Sequence, residues 1–463
     1  MVPNKKMRFY GWRDLDNIPQ IQSLPEEEKF AIKVVSRVLP FRVNNYVIDE
    51  LIDWTNIPDD PIFQLTFMQK YMLTEDQLEW ASDVLLKNKT SEEINSVLEE
   101  IRLELNPHPA GQMTLNIPQV NGEPVPGVQH KYRETVLIFP SSGQTCHSYC
   151  TFCFRWPQFV GMHDLKFATD ESKSFQNYLS KNKFVSDVLL TGGDPMIMSA
   201  KNLAAYIEPL LEPEFEHIRN IRIGTKSVAY WPYRYLTDKD ADDILMLFEK
   251  VVSSGKHLAI MGHYNHWKEL STDAAQEAVR RIRNTGAQIR TQSPLIKHIN
   301  DDPAVWSRLW KTQISLGCIP YYFFVERNTG AKEYFSIPLV IAYEIYREAY
   351  KEVSGLGRTA RGPSMSALPG KVLIDGITEV RGEKVFVLIM LQARNPEWVK
   401  KPFFAKFNEN ATWLTDLRPA FGKDKFFYQD ELNQMIRRNS GQVYFQLDDD
   451  FELVANEGID SDE

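Results

Sequence analysis

The stretch TVLIFPSSGQTCHSYCTFCFRW, residues 135–156, decides how the rest of the chain is read. Its first five residues are an apolar run suited to a strand buried on both faces. Cys146, Cys150 and Cys153 then leave a single loop with three-then-two spacing, so three thiols are presented together. Three ligands are one short of a closed zinc site, which could borrow His147 or Cys318 for its fourth corner. An iron–sulfur cluster uses the same residue type, and an iron left without a protein ligand can bind a substrate. On spacing alone both readings stay open.

Working outward, the runs SDVLL, NIRIG, HLAIMG, QIRTQ and GCIPYYFF recur between Ser186 and Phe324, each followed by a stretch that can be helical. They begin about 30 to 50 residues apart, the length of one βα unit with its loop. The expected fold is therefore α/β: a partial parallel (β/α)6 barrel with continuously apolar strands and its chemistry at their C-terminal ends. Before it, Glu26–Val38, Val47–Trp54 and Glu75–Leu86 carry helical periodicity, and Ser91 is the expected N-cap of a further helix. Residues 106–130 are rich in Pro and Gly and read as a lead-in loop. After Pro338 come a helix (LVIAYEIYREAYKEV), a Gly/Pro-rich connection, and strands in KVLIDG and KVFVLIMLQA. The expected division is a helical N-terminal region (1–130), the barrel core (131–335) and an α+β C-terminal extension (336–463) ending in an acidic tail from Asp448.

The 463 residues are 43% hydrophobic and 25% charged, with net charge −9, which opposes general affinity for nucleic acid or an anionic membrane and favours small-molecule chemistry. No signal-peptide run follows the basic N-terminus, and nowhere do about 18 apolar residues stand together. With four cysteines, three of them clustered, a disulfide framework is disfavoured, and the expected location is the cytoplasm, a reducing compartment.

Further motifs stand in order around the cysteine loop: PVPGVQHKY, TGGDP, IRIGTKSVAYWPYR, HYNH, TQSPLIKHIND, PYYFF and LPGK. A CxxxCxxC loop after the first barrel strand resembles the radical S-adenosylmethionine superfamily. The ordered set over roughly residues 45–375 resembles its lysine 2,3-aminomutase family. The resemblance implies a [4Fe–4S] cluster on Cys146, Cys150 and Cys153 whose open iron holds S-adenosyl-L-methionine. It implies that Gly192, Gly193 and Asp194 contact the amino group of that cofactor and that His263 and Gln292 line it. It also implies pyridoxal 5′-phosphate on Lys371, with Lys131, Tyr132 and Tyr321 around it, and Arg155 against the substrate α-carboxylate.

Two departures modify those expectations. Lysine-type members place aspartates against the distal ammonium of their substrate; Arg327 and Ala367 stand at those positions here. The expected substrate is therefore an amino acid other than lysine, glutamate being the simplest. There is also no cysteine after Cys318, so the structural zinc of lysine-type members is not expected. The partners expected are a small amino-acid substrate and an electron donor such as flavodoxin or ferredoxin, with self-association left open. Thr135 where a family arginine is expected, and a glycine run shortened to Pro369-Gly370, keep an alternative in view: a radical enzyme of the same scaffold without pyridoxal phosphate. A zinc-stabilised binding module is the third reading.

Overall fold

The computed structural model describes residues 5–87, 89–106, 115–161, 168–169 and 172–439; the acidic tail lies outside them. Near the N-terminus β1 (Phe9–Gly11) pairs antiparallel with β2 (Arg42–Asn44), and β3 (Gln119–Val120) forms a small hairpin with β4 (Glu123–Pro124). One sheet of eleven strands organises everything else. In chain order these are β5 (Val128–Tyr132), β6 (Thr135–Ile138), β7 (Asp187–Leu190), β8 (Asn220–Thr225), β9 (His257–His263), β10 (Gln288–Leu295), β11 (Ile319–Val325), β12 (Arg361–Ser366), β13 (Gly370–Val380), β14 (Glu383–Ala393) and β15 (Pro402–Lys406). Every pairing from β6 to β12 is parallel. The flanking pairs β5–β6 and β12 through β15 are antiparallel.

The six expected strands are all present, each followed by a helix: Ser172–Lys181, Ala200–Ile207, Ala241–Ser253, Asp273–Asn284, Pro303–Ser315 and Leu339–Lys351. Parallel neighbours demand such crossovers, because a strand must return to the same edge before it can pair again. The sheet also holds a seventh parallel strand, β12, which the sequence disguises as a Gly/Pro-rich connection. Gly and Pro normally weaken a strand. Here a Cβ on Gly362 would lie 2.4 Å from the carbonyl oxygen of Phe323, so close approach to β11 requires glycine.

A second difference explains where the site comes from. The strands are not apolar on both faces. In β7, β8 and β10 buried residues alternate with partly accessible ones, so that Val188, Leu190, Ile221, Ile223 and Ile289 face the helices while Leu189, Gly224 and Gln292 face a cavity. The helix-facing side is tightly packed: the Trp306 ring centroid lies 4.2 Å from that of Phe323. Each such aromatic contributes about 1.5–3 kcal/mol through burial. The sheet curls until β14 comes against β5, and Lys131 on β5 donates to the carbonyl of Ala367 between β12 and β13. Arg394, just past β14, donates to Asn116 Oδ1 at 2.6 Å and Leu368 O at 2.9 Å. The C-terminal strands thereby bridge the open side of the barrel.

In the N-terminal region Glu26–Val38 and Glu75–Leu86 are helices as expected, whereas Val47–Leu51 makes only one wide turn. The cap of the Ser91–Glu104 helix is Thr90, whose hydroxyl accepts from Glu93 N, and Ser91 is the first helical residue. This region also grips the cysteine loop. The buried Asn44 amide donates to His147 O (2.9 Å) and Tyr230 O (2.8 Å), Tyr149 N donates to Arg42 O (2.8 Å), and Thr151 N donates to Leu65 O (3.0 Å). Among the described residues no helix is long and apolar enough to cross a membrane.

Candidate active site

A cavity of about 330 Å³ opens at the C-terminal ends of the parallel strands. It brings together Cys146, Cys150, Cys153, Arg155, Gly192, Gly193, Asp194, His263, Gln292, Arg327 and Lys371, residues spread over more than 220 positions of sequence. Strand order explains the convergence: Cys146 to Arg155 follow β6, Gly192 to Asp194 follow β7, His263 ends β9, Gln292 lies in β10, Arg327 follows β11 and Lys371 follows β12, and those ends share one rim.

The cysteine loop forms one wall. Its turns are fixed by Cys153 N to Cys150 O (3.1 Å) and Trp156 N to Cys153 O (3.0 Å). All three thiols are free, and Cys150 Sγ lies 3.3 Å from the Tyr230 hydroxyl. Burial raises the thiol pKa of each; for Cys146 the neighbouring Asp194, Cys153 and Cys150 add to it, and Cys150 is pushed up to about 12 although Lys226 opposes. Metal ligation displaces such protons, because the ligand is the thiolate. Among the described residues no three His, Cys, Asp or Glu side chains converge where one ion could sit. Three thiols spread along one cavity wall instead suit a polynuclear cluster, with one thiolate per iron.

The TGGDP turn braces that loop from behind. Gly192 has φ +143°, and a Cβ there would fall 2.2 Å from Gln144 Nε2; one on Gly193 would fall 2.5 Å from the backbone N and O of Thr145. Only glycine lets the two turns touch. The Asp194 carboxylate accepts from Met196 N (2.9 Å), Lys226 N (2.9 Å) and the Thr225 hydroxyl (2.7 Å), which locks the turn to the end of β8. His263 Nε2 is buried with no hydrogen-bond partner among the described residues, and burial, with Lys226 adding, holds its pKa well below the usual range. A neutral imidazole with one orphaned nitrogen is a site awaiting a ligand atom.

The opposite wall is cationic. The Lys371 ammonium nitrogen sits 3.8 Å from the centroid of the Tyr322 ring and 5.2 Å from that of Phe324. Burial, then Arg222, Arg361 and Arg327, depress its pKa well below the usual lysine value, which favours the uncharged, nucleophilic amine. The chemistry and burial of this residue fit a carbonyl cofactor bound covalently. Arg155 packs 4.1 Å over the Phe139 ring, and burial pushes it down to about 9, opposed by Cys153 and helped by Arg327. Arg327 is buried over Phe154 at 4.5 Å, and its Nη1 has no partner among the described residues. It points neither to solvent nor to Glu326, and no carboxylate pairs with Arg155 or Arg327 among the described residues.

Three residues of the expected pyridoxal pocket lie beside the cavity rather than on its lining. Lys131 is half-buried, its pKa lowered first by burial and then by Arg394, Arg327 and Lys371. Tyr132 adjoins Arg327 and Arg394. Tyr321 lies under Arg361 (4.2 Å) and Arg290 (5.5 Å), and its neighbour Tyr322 is the ring that meets Lys371. The register shift of β10 against β11 between Thr291 and Gln292 makes such a one-residue offset hard to read from sequence.

Two cavity residues carried no role in the sequence reading. Lys226 is buried and bonds Glu269, Asn265 Oδ1 (2.9 Å) and His263 O (3.3 Å), so it ties the ends of β8 and β9. Glu326 lines the cavity with both oxygens buried and without partners among the described residues, and burial raises its pKa well above the carboxylate range. A charge inside VERN gave only a weak signal, because neighbours in sequence do not reveal which face turns inward.

Comparison with known proteins followed from this geometry. A protein of Aquifex aeolicus (strain VF5), provisionally named an L-lysine 2,3-aminomutase, is 32% identical over 397 residues, covering 86% of this chain and 92% of its own length. The L-lysine 2,3-aminomutase of Fusobacterium nucleatum is 28% identical over 232 residues, half of this chain and 51% of that one. The glutamate 2,3-aminomutase of Clostridioides difficile (strain 630) is 24% identical over 353 residues, 75% of this chain and 72% of that one. Among solved structures, a radical SAM methyltransferase from Sphaerobacter thermophilus aligns with TM-score 0.36 at 14% identity, over 50% of this chain and 68% of that one. No family model matches the sequence.

Proposed function

This chain belongs to the lysine 2,3-aminomutase family of radical S-adenosylmethionine enzymes, and from that premise we propose that it moves the amino group of an acidic α-amino acid, glutamate foremost, from C2 to C3. It is an isomerase of the 2,3-aminomutase type. When bound, the cluster and S-adenosylmethionine supply the radical that takes hydrogen from an unactivated carbon, and pyridoxal phosphate supplies the conjugated ring that the amino group uses in transit.

The roles of the protein's own residues follow from their surroundings. Cys146, Cys150 and Cys153 hold the cluster, while Gly192 and Gly193 open the backbone and His263 and Gln292 offer polar atoms to the nucleoside cofactor. Lys371, its pKa lowered by burial, attaches pyridoxal phosphate, and Lys131 and Tyr132 support the cationic side where its phosphate charge is welcome. Arg155 holds the α-carboxylate by a two-pronged hydrogen bond beside the cysteine loop. The aromatic wall of Phe152, Phe154 and Phe324 keeps water from the reacting carbon.

The carrying observation is Arg327, a guanidinium buried in the cavity with no counterion among the described residues. An ammonium about 4 Å from it would be repelled by about 4 kcal/mol at an effective dielectric near 20, whereas a distal carboxylate would be attracted to the same extent. The test is turnover of lysine and glutamate side by side, followed by NMR of the products. Glutamate should isomerise at least about tenfold faster; faster lysine turnover overturns the substrate assignment. Thr135 in place of the family arginine favours the second reading, a radical reaction without pyridoxal phosphate, in which neither amino acid isomerises although S-adenosylmethionine is cleaved.

A further inference from the structure

We propose that the arginine-lined hollow behind the cysteine loop is the docking surface for an acidic one-electron carrier protein; the inference rests on the radical S-adenosylmethionine reading, which requires an external reductant. The chain is net negative by nine charges, yet a hollow of about 320 Å³ is lined by Arg13, Arg37 and Arg102 and by no acidic residue. Its floor is the cysteine loop itself: Tyr149, between Cys146 and Cys150, and Phe159, beyond Cys153, have rings stacked at 4.5 Å.

The rim is built for contact. Trp12 is 37% exposed and sandwiched between guanidinium groups, Arg13 at 4.6 Å and Arg37 at 4.2 Å from its ring. Beside it Phe9, 36% exposed, lies 4.6 Å from the guanidinium of Arg42. No ion pair involves Arg13, Arg37, Arg42 or Arg102 among the described residues. Of the carboxylates nearby, Asp14 accepts from Gly11 N at 2.9 Å, and Glu99, one turn before Arg102 on the same helix, opposes the burial that lowers the Arg102 pKa without forming an ion pair with it. Arg102 is a fixed part of the wall, donating to Arg37 O (2.6 Å) and Val38 O (2.9 Å), so Arg13, Trp12 and Arg37 remain to meet a partner.

The rim is bonded to the loop that carries the thiols. Arg42 Nη1 lies 3.4 Å from Cys146 O, and Arg42 O accepts from Tyr149 N at 2.8 Å, so one residue separates the rim from the loop that carries the cluster ligands. Exposed Trp and Arg are the residue types that anchor protein interfaces. A positive patch on a negative protein also answers a specific problem: two acidic proteins repel at long range, and a local basic surface steers the encounter to one place. In that encounter the carrier gives up one electron and the enzyme gains it, and no atom or proton is transferred.

The test measures binding of oxidised flavodoxin, an acidic carrier of this class, to the full chain by titration calorimetry at several salt concentrations. Wild type should bind at low salt and weaken as salt rises. The double substitution Arg13→Glu/Arg37→Glu should raise Kd at least about tenfold and flatten the salt dependence, whereas Lys201→Glu/Lys311→Glu, an equal charge change at exposed sites, should not. Cleavage of S-adenosylmethionine driven by dithionite should be unchanged in both variants. Docking here is overturned if the arginine variant binds as wild type does, if both variants weaken binding equally, or if dithionite-driven cleavage falls with it. A changed molar mass by light scattering in the arginine variant would assign the patch to self-association instead and also overturn it. Absence of dithionite-driven cleavage in wild type would sink the enzymatic reading, a result distinct from charge-insensitive binding with cleavage intact.

Discussion

The two walls of the cavity are held in opposite ways. The wall made by the cysteine loop and the TGGDP turn is braced: Asp194 bonds three partners, Asn44 and Arg42 clamp the loop from outside, and two glycines sit where no Cβ fits. The side carrying Lys371 and Arg327, with Arg155 at the end of the cysteine loop, is electrically incomplete: neither arginine has an acidic partner among the described residues. A rigid, braced wall holds the same cofactor whatever the substrate, whereas a wall whose cations lack counterions is completed by the ligand and so selects it. This difference is how one scaffold can serve family members with different substrates.

Arg327→Asp should break the comparison most severely. It removes the uncompensated charge and places a carboxylate in the cavity, so kcat/KM for glutamate should fall about 10²–10³-fold, equivalent to about 3–4 kcal/mol. Lysine turnover should rise from its baseline, and S-adenosylmethionine binding should stay within about twofold of wild type. Unchanged glutamate kinetics would remove Arg327 from the substrate site.

Gly193→Ala should show the converse on the braced wall. The added methyl meets backbone at 2.5 Å, so the loop must shift. S-adenosylmethionine should bind about ten- to a hundredfold more weakly, as expected for the loss of about 1.4–3 kcal/mol, while borohydride trapping of pyridoxal phosphate is retained. Equal loss of both would show that the walls are not independent.

Glu326→Gln sharpens the comparison by a smaller amount. Burial raises this carboxyl pKa in the folded state, so the folded protein holds a proton that the unfolded chain releases above its ordinary value near about 4.3. Stability present at low pH is therefore lost as pH rises through that value, until the folded group also ionises. The amide removes the penalty, so without ligands the variant's Tm should exceed wild type by a few degrees at about pH 7 and by less at about pH 5. A variant less stable at both pH values would show that Glu326 has a partner when folded.

Most of the barrel was legible because each apolar run stood at βα spacing and each was followed by a helix. β12 was hidden because the Gly362 that fits it against β11 is the residue that normally argues against a strand. Alternation in β7, β8 and β10 was read as continuous apolarity, since leucine, glycine and arginine on the inner face blur the pattern. In the site, motif order brought most lining residues to attention. Lys226 and Glu326 were missed because their meaning depends on burial and on a distant partner, or on the lack of one. The hollow beside Trp12 was illegible for the same reason: its arginines come from a turn and two different helices, and its floor from the cysteine loop.

The most direct test is to reconstitute the protein anaerobically with iron, sulfide and pyridoxal phosphate. The sample is then reduced with borohydride at about pH 7 and at about pH 9, its metals are counted and the modified peptide is mapped. The expected result is about four irons per chain and a phosphopyridoxyl adduct on Lys371. The yield should rise less between the two pH values than it would for an exposed lysine, because burial lowers the pKa of this amine. Four irons without an adduct, an adduct confined to other lysines, or zinc without iron would contradict it.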